Sequence, residues 1–163
     1  YYYLSIGTNI NAKSNAVKII RNIVLNFGSI IVFPFIKTKP YKIVTKNYFL
    51  NSIVILKSSK NAQEVKAITN GIEIDMGRDR NDKFSSIKDR VADIDIIHVS
   101  SEIDIESLSE HCEFYLQDSL FSNKKSMIYL DDFGLPRIDR ATTINFDSSS
   151  GDIVIINYEP YSL

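Results

Sequence analysis

Asp93 and Asp95, two aspartates one residue apart, are the side chains in this sequence best suited to hold a metal ion. Polar and apolar residues alternate within residues 92–99, as in a β-strand. Both carboxylates are therefore expected on one face, with Ile94 and Ile96 on the other. Hard oxygen ligands at this spacing suit Mg²⁺, which takes one or two carboxylates and completes its shell with water and phosphate oxygens. The spacing alone also fits two solvated acids at a half-exposed strand end, and that alternative stays open.

A basic segment leads directly into the aspartate pair. Residues 77–90 are polar and without periodicity, which predicts a long loop, and they carry five cations: Arg78, Arg80, Lys83, Lys88 and Arg90. Such a loop within a compact domain is uncommon, and it indicates either a functional segment or a wrong assignment of the elements. An acid pair beside a basic loop is suited to phosphoryl transfer, in which metal ions bridge phosphate oxygens and guanidinium groups neutralise developing charge. A solvated charged turn is the alternative for the loop taken by itself.

The composition of the whole chain excludes several classes of protein. Its 163 residues contain 19 Lys and Arg against 20 Asp and Glu, a net charge of -1, which argues against a broadly basic nucleic-acid-binding protein. The single cysteine, Cys112, excludes an internal disulfide framework and a multi-thiolate metal site. No apolar run approaches the roughly 20 residues that a membrane span requires. We therefore expect a soluble, cytoplasmic protein, monomeric, that acts on small molecules and binds neither nucleic acid nor membrane.

Hydrophobic periodicity predicts the elements that position these residues. Strands are expected at residues 2–6, 30–37, 49–57 and 92–99, and helices at residues 16–27 and 62–76. The order β-α-β-β-α-β predicts an α+β fold, a ferredoxin-like sandwich with an antiparallel-rich sheet and two helices on one face. Beyond it we expect C-terminal additions, a helix at 105–121 and a β-hairpin at 144–157 with its turn at 148–151. Residues 1–163 are expected to form one domain.

Five groups of residues follow one another in an order that is far more specific than any one of them. They are Ser5-Ile6-Gly7-Thr8-Asn9, Thr38-Lys39-Pro40, Tyr48-Phe49-Leu50-Asn51, Ile72-Glu73 with Met76-Gly77-Arg78-Asp79-Arg80, and Arg90 before Asp93-Ile94-Asp95. Over residues 2 to about 99 they resemble the 6-hydroxymethyl-7,8-dihydropterin pyrophosphokinase family, whereas residues 100–163 diverge. The resemblance implies the same ferredoxin-like fold. It also implies transfer of pyrophosphate from ATP to the pterin hydroxymethyl oxygen, with release of AMP, in folate biosynthesis.

The resemblance further implies a role for individual residues. Asp93 and Asp95 would hold two Mg²⁺ ions, and Arg78 and Arg90 would act in catalysis. The residues implied at the ATP site are Asn70, Glu73, Arg80 and Arg90. Phe49 would stack on the pterin ring and Asn51 would hydrogen-bond its edge. The other residues implied at the pterin site are Gly7, Thr38, Pro40 and, as a second stacking ring, Phe114.

The sequence departs from the family pattern after residue 99. The family's Pro-His pair and the Arg before the second stacking Phe are absent, and the chain has no Trp, so Phe84 is the candidate loop aromatic. A non-catalytic relative that binds nucleotide or pterin is therefore the alternative function. An RNA-binding module shares the topology, but residues 49–57 offer it only one ring and one lysine. His98 has the opposite strand parity to the aspartates, so we expect it away from them.

Overall fold

Eight strands and four α-helices make up residues 1–157, the part of the chain that the computed structural model describes. The strands are β1 (Tyr2–Thr8), β2 (Ile30–Val32), β3 (Phe35–Thr38), β4 (Phe49–Leu56), β5 (Asp93–Val99), β6 (Met127–Ile128), β7 (Thr142–Asp147) and β8 (Asp152–Asn157). The helices are α1 (Ala12–Phe27), α2 (Ala62–Asp75), α3 (Ile105–His111) and α4 (Gln117–Leu120), with 3₁₀ turns at Phe114–Leu116 and Asp131–Phe133. No helix in residues 1–157 is long and apolar enough to span a membrane.

The strands form one sheet in the order β5-β1-β4-β2-β7-β8, and β3 pairs with β4 and with β6. Every strand pair is antiparallel. β2 and β3 are two halves of the predicted second strand, interrupted beside Pro34, which has no N–H to donate to the ladder. The order β5-β1-β4-β2 interleaves two β-α-β units, which confirms the predicted ferredoxin-like fold. The predicted terminal hairpin, β7 with β8, extends the sheet beyond β2.

Local signals account for the ends of α1 and α2. α1 is amphipathic, and Gly28 terminates it at φ 80°, a conformation that favours glycine. α2 begins with a capping box, in which the Asn61 side chain accepts from the Glu64 N–H and the Glu64 carboxylate accepts from the Asn61 N–H. The helix continues through Asn70 and Gly71, as its apolar periodicity predicts.

The two faces of the sheet are covered to different extents. Leu4 and Ile6 of β1 pack with α1 and α2, whereas Tyr3 lies on the opposite face. The chain that follows β5 covers the Tyr3 half of this second face through three buried leucines: Leu108, Leu116 and Leu120. A cavity opens over the other half of this second face, the half that carries Gly7.

The predicted helix at 105–121 is present in three short pieces instead of one. α3 ends at His111, and Cys112 is extended, with ψ 129°. A 3₁₀ turn and α4 follow. The extended residue redirects the chain, so Leu116 and Leu120 reach the same apolar cluster as Leu108.

The predicted parity of His98 is wrong because β5 contains an irregularity. Leu4 pairs with Ile96, but Tyr3 pairs with His98, so one residue of β5 is left over between the two pairs. Such a bulge moves every later side chain to the other face. His98 therefore lies on the same face as the aspartates, with its ring 5.3 Å from that of Tyr3 and stacked on that of His111 at 4.4 Å.

Candidate active site

A cavity of about 290 Å³ opens on the second face of the sheet, where β3 ends and β4 and β5 begin, beside two long loops. It brings together five residues that the sequence predicts for the site: Thr38, Phe49, Asn51, Arg90 and Asp93. Its lining also includes residues that the sequence did not single out, among them Tyr41, Glu113 and Tyr115. An aromatic and amide surface thus adjoins a charged cluster within one cavity.

The floor of the cavity depends on a glycine. Gly7 pairs with Asn51 on one side and with Asp93 on the other. A Cβ at Gly7 would lie 2.4 Å from Asn51 Oδ1, so any side chain there would displace the amide. Asn51 Nδ2 donates to Thr38 Oγ1 at 2.6 Å, and this bond fixes the orientation of the amide. Phe49 is largely buried, so its ring lies in the cavity wall.

Asp93, the first residue of β5, contacts two arginines of the basic loop through its side chain. Arg78 Nη1 donates to Asp93 Oδ1 at 2.6 Å, and Arg90 Nη1 donates to Asp93 Oδ2. Arg90 also donates through Nη2 to the carbonyl of Ser86. The carboxylate and both guanidinium groups are mostly buried, which strengthens their mutual attraction. Three residues predicted for catalysis and metal binding are therefore in direct contact.

Glu73, on α2, forms ion pairs with two arginines of the same loop. Its side chain is fully buried in α2, and Oε1 accepts from the Ile94 N–H at 2.6 Å. Oε2 lies 3.0 Å from Arg78 Nη1 and accepts a hydrogen bond from Arg80 Nη2. Because no part of this carboxylate is exposed, its contacts are with the two arginines and the Ile94 N–H.

Asp95 is the more accessible of the two aspartates. Its side chain is 57% exposed, and Oδ1 lies 2.7 Å from Lys66 Nζ, which also donates to the Ile94 carbonyl. Residues 1–157 contain no group of three or more His, Cys, Asp or Glu side chains that could hold a metal ion. Two aspartates on one strand face are a donor set that fits a hard divalent cation with water and phosphate oxygens as its other ligands.

The sequence of this chain matches that of a known protein family over most of its length. The model of the 7,8-dihydro-6-hydroxymethylpterin-pyrophosphokinase family matches residues 3–123. The chain belongs to this family. Two proteins of Porphyromonas gingivalis strains, both named 2-amino-4-hydroxy-6-hydroxymethyldihydropteridine pyrophosphokinase, are each 29% identical to it over 97 residues. These matches cover 58% of this chain and 66% of each relative, slightly less than two thirds of their length.

The pyrophosphokinase family match extends beyond the motifs of residues 1–99 and includes α3 and α4. In this region Phe114 is 65% exposed, outside the cavity lining, with its ring 5.0 Å from that of Tyr41. Tyr115 lines the cavity instead. Burial and the negative charges of Glu113 and the two aspartates raise the pKa of Tyr115 to about 12. Tyr115 therefore stays a neutral hydrogen-bond donor at neutral pH.

Pro40, Arg80 and Asn70, which the sequence also predicts for the site, are not part of the cavity lining. Pro40 is half-buried in the loop beside Lys39, which does line the cavity. Arg80 reaches Glu73 and remains about one-third exposed. Asn70 lies on α2, and its Oδ1 is buried with no hydrogen-bond partner.

Sequence reasoning missed Lys66, although a signal was present. Lys66, Asn70 and Glu73 are spaced four and three residues apart, so they share one face of α2. That face is the one that reaches β5, through the Lys66 and Glu73 contacts to Ile94 and Asp95. Tyr115 had no comparable signal, because its direction depends on the break at Cys112.

Proposed function

We propose that this protein transfers the terminal pyrophosphate of ATP to 6-hydroxymethyl-7,8-dihydropterin and releases AMP, a step of folate biosynthesis. The hydroxymethyl oxygen would bond to the β-phosphorus as the bond to the α,β-bridging oxygen breaks. AMP would leave with that electron pair, and the hydroxyl proton would pass to solvent. The observation that carries the proposal is the single cavity in which Phe49 and Asn51 adjoin Arg90 and Asp93.

The aromatic end of the cavity suits a flat heteroaromatic ring. Phe49 supplies a ring for stacking, and Asn51 supplies an amide whose donor and acceptor match the edge of a pterin. Thr38 holds that amide in place, and Gly7 leaves room for it. A volume of about 290 Å³ is close to the lower bound for small-molecule sites, which favours one bicyclic ring system.

The charged end suits the phosphates of ATP. Asp93 and Asp95 would hold two Mg²⁺ ions, which would supply positive charge to offset that of the phosphates. Arg78 and Arg90 each retain a buried Nε–H without a hydrogen-bond partner, so the described residues do not satisfy every donor of either guanidinium group. A guanidinium group is a strong donor to phosphate oxygens. Arg80 is the most exposed of the three arginines and would meet ATP from the loop. The unpartnered Oδ1 of Asn70 would accept from an amino group of the base.

Tyr115, in place of Phe114, is the second ring that we propose for the pterin. Tyr115→Ala should weaken pterin binding by about 10-fold, the value of one aromatic pair, whereas Phe114→Ala should change it by less than about 3-fold. Calorimetric titration of the pterin into both variants measures the difference. A larger loss in Phe114→Ala would instead support the assignment that the family resemblance implies.

Gly7→Ala should raise the KM for the pterin by about 10-fold or more, because the new methyl displaces Asn51 from its bond to Thr38. The KM for ATP should change much less, since the β5 carboxylates keep their partners. Steady-state kinetics with each substrate varied in turn measures both constants. Gly71→Ala is the matched control, since a Cβ there meets nothing within 4 Å. Equal effects of the two substitutions on the pterin KM would contradict this role for Gly7.

The alternative is a relative that binds nucleotide or pterin without turnover, and the missing Pro-His and Arg elements favour it. One assay separates the two functions. Purified protein should form AMP only when ATP, Mg²⁺ and the hydroxymethyl dihydropterin are all present. Calorimetric binding of the pterin with no AMP formed would favour the non-catalytic alternative. The proposal includes a monomer in the cytoplasm, which size-exclusion chromatography and cell fractionation would test.

A further inference from the structure

Asp89 lies where three connecting segments meet. The 39–48 loop joins β3 to β4 and lines the cavity through Lys39, Tyr41, Lys42 and Ile43. The 76–92 loop joins α2 to β5 and carries the arginines of the charged end. The third segment is the turn between β1 and α1, where Asn9 lies. Asp89 belongs to the 76–92 loop but makes hydrogen bonds to both of the others.

Asn9 fixes the backbone of Arg90 from two sides. Its side-chain Oδ1 accepts from the Arg90 N–H at 2.7 Å, and its own N–H donates to the Arg90 carbonyl at 3.1 Å. Thr8 Oγ1 donates to the same carbonyl at 3.2 Å. Asn9 is only 6% exposed, so the position of the Arg90 backbone depends directly on the orientation of this amide.

The Asp89 carboxylate links that amide to the 39–48 loop. Oδ1 accepts from Asn9 Nδ2 at 2.7 Å, and Oδ2 accepts from Asn47 Nδ2 at 2.5 Å. The neighbouring polar side chains of Thr45, Asn9 and Asn47 lower the pKa of Asp89, so the carboxylate is ionised at neutral pH. Within residues 1–157, the side-chain hydrogen bond found between the two loops is the one from Asn47 to Asp89.

We propose that Asp89 is a positioning residue that couples the two ends of the site. On the basis of the function proposed above, pterin in the cavity would order the 39–48 loop. Through their hydrogen bonds, Asp89 and Asn9 would then restrict the backbone of Arg90 and thus the position of its phosphate-binding guanidinium. The inference predicts that pterin increases the affinity for ATP, and by thermodynamic reciprocity that ATP increases the affinity for pterin.

An ionised carboxylate is required for this link. Asp89 accepts hydrogen bonds from two amide donors, one on each oxygen, and an ionised carboxylate offers only acceptors. In Asp89→Asn the amide has nearly the same size, but its NH₂ group faces one of these two N–H donors. At least one of the two links is therefore lost without a change in volume.

The test compares the affinity for a nonhydrolysable ATP analogue with Mg²⁺, measured by calorimetry, in the presence and absence of saturating pterin. In the unmodified protein we expect pterin to tighten binding by about 5-fold or more, the lower end of typical couplings. The coupling ratio is the affinity for the ATP analogue with pterin divided by the affinity without it. In Asp89→Asn and in Asn47→Ala this ratio should fall to about 1, while affinity for each ligand alone changes by less than about 3-fold. A general loss of structure would lower the separate affinities and would not selectively remove the ratio.

Asp82→Asn is the matched control. Asp82 lies in the same loop and loses the same charge, but its bonds run to Lys88 and to the Phe84 N–H within that loop. It should keep the coupling ratio of the unmodified protein. A ratio that survives in Asp89→Asn, or a ratio of 1 in the unmodified protein, would overturn the inference while leaving the proposed function intact. Failure of the unmodified protein to bind either ligand would instead overturn the proposed function and, with it, the coupling.

Discussion

Asp95→Asn should reduce AMP formation by about 10³-fold or more, because metal neutralisation of phosphate charge contributes several kcal/mol and each 1.36 kcal/mol is tenfold in rate. An amide keeps the shape of the side chain but removes the charge that holds the cation. The fold should remain intact, since Asp95 is mostly exposed and its ion pair with Lys66 contributes about 1 kcal/mol or less. Turnover measured over a range of Mg²⁺ concentrations, with a thermal melt, checks both expectations.

Asp152→Asn is the matched control for Asp95. Asp152 is also an exposed aspartate in an ion pair, at 3.0 Å from Arg21, and it lies on β8 at the far edge of the sheet. Its loss should leave turnover and the Mg²⁺ dependence unchanged. If Asp95→Asn retained activity within about 5-fold of the unmodified protein, a difference of only about 1 kcal/mol, Asp95 would not be a metal ligand.

Glu73→Gln should lower the free energy of unfolding by about 3 kcal/mol, the usual loss when one partner of a buried ion pair is removed. The substitution leaves the Arg78 charge largely buried with a weaker partner. It also turns an NH₂ group toward the Ile94 N–H or the arginine donors. For a domain of this size the melting temperature should fall by about 6–12 °C. Differential scanning calorimetry measures the shift, and the KM for ATP should rise because Arg78 and Arg80 lose their anchor.

Glu110→Gln provides the comparison for Glu73. Glu110 is an exposed residue of α3, so the same chemical change should shift the melting temperature by no more than about 2 °C, as for a typical surface substitution. A Glu73→Gln protein with an unchanged melting temperature and an unchanged KM for ATP would show that the buried carboxylate does not anchor the loop.

Strand parity correctly predicted that Asp93 and Asp95 share one face, but it failed three residues after Asp95, at His98. From Asp93 to Ile96 the pairing of β5 with β1 is regular, so alternation places Asp93 and Asp95 on one face. The irregularity between Tyr3 and Leu4 then moves His98 to that same face. A bulge depends on the fit between two strands, and neither strand's own pattern of apolar residues reveals it.

The C-terminal part of the site was harder to predict for a similar reason. The apolar spacing of Leu108, Cys112 and Leu116 fits one continuous helix, yet the chain is extended at Cys112. This break decides whether Phe114 or Tyr115 faces the cavity. Its cause is the packing of the leucines on the second face of the sheet, which is a tertiary effect.

The contacts of Asp89 were beyond sequence reasoning altogether. Its partners Asn47 and Asn9 are 42 and 80 residues away, and all three residues are of types that ordinarily occupy solvated turns. Only the arrangement of β1, β4 and β5 side by side brings their loops together. The motifs thus predicted five residues that line the cavity, but not the residue that we infer to link its two ends.

Analysis of the reaction products tests the central claim most directly. ATP, Mg²⁺ and 6-hydroxymethyl-7,8-dihydropterin would be incubated with the protein, and the products followed by phosphorus NMR and mass spectrometry. We predict AMP and the pterin diphosphate in equal amounts, with no ADP, and no AMP when the pterin is omitted. Formation of ADP or inorganic phosphate in place of AMP, or no turnover of ATP under these conditions, would contradict the proposed pyrophosphoryl transfer.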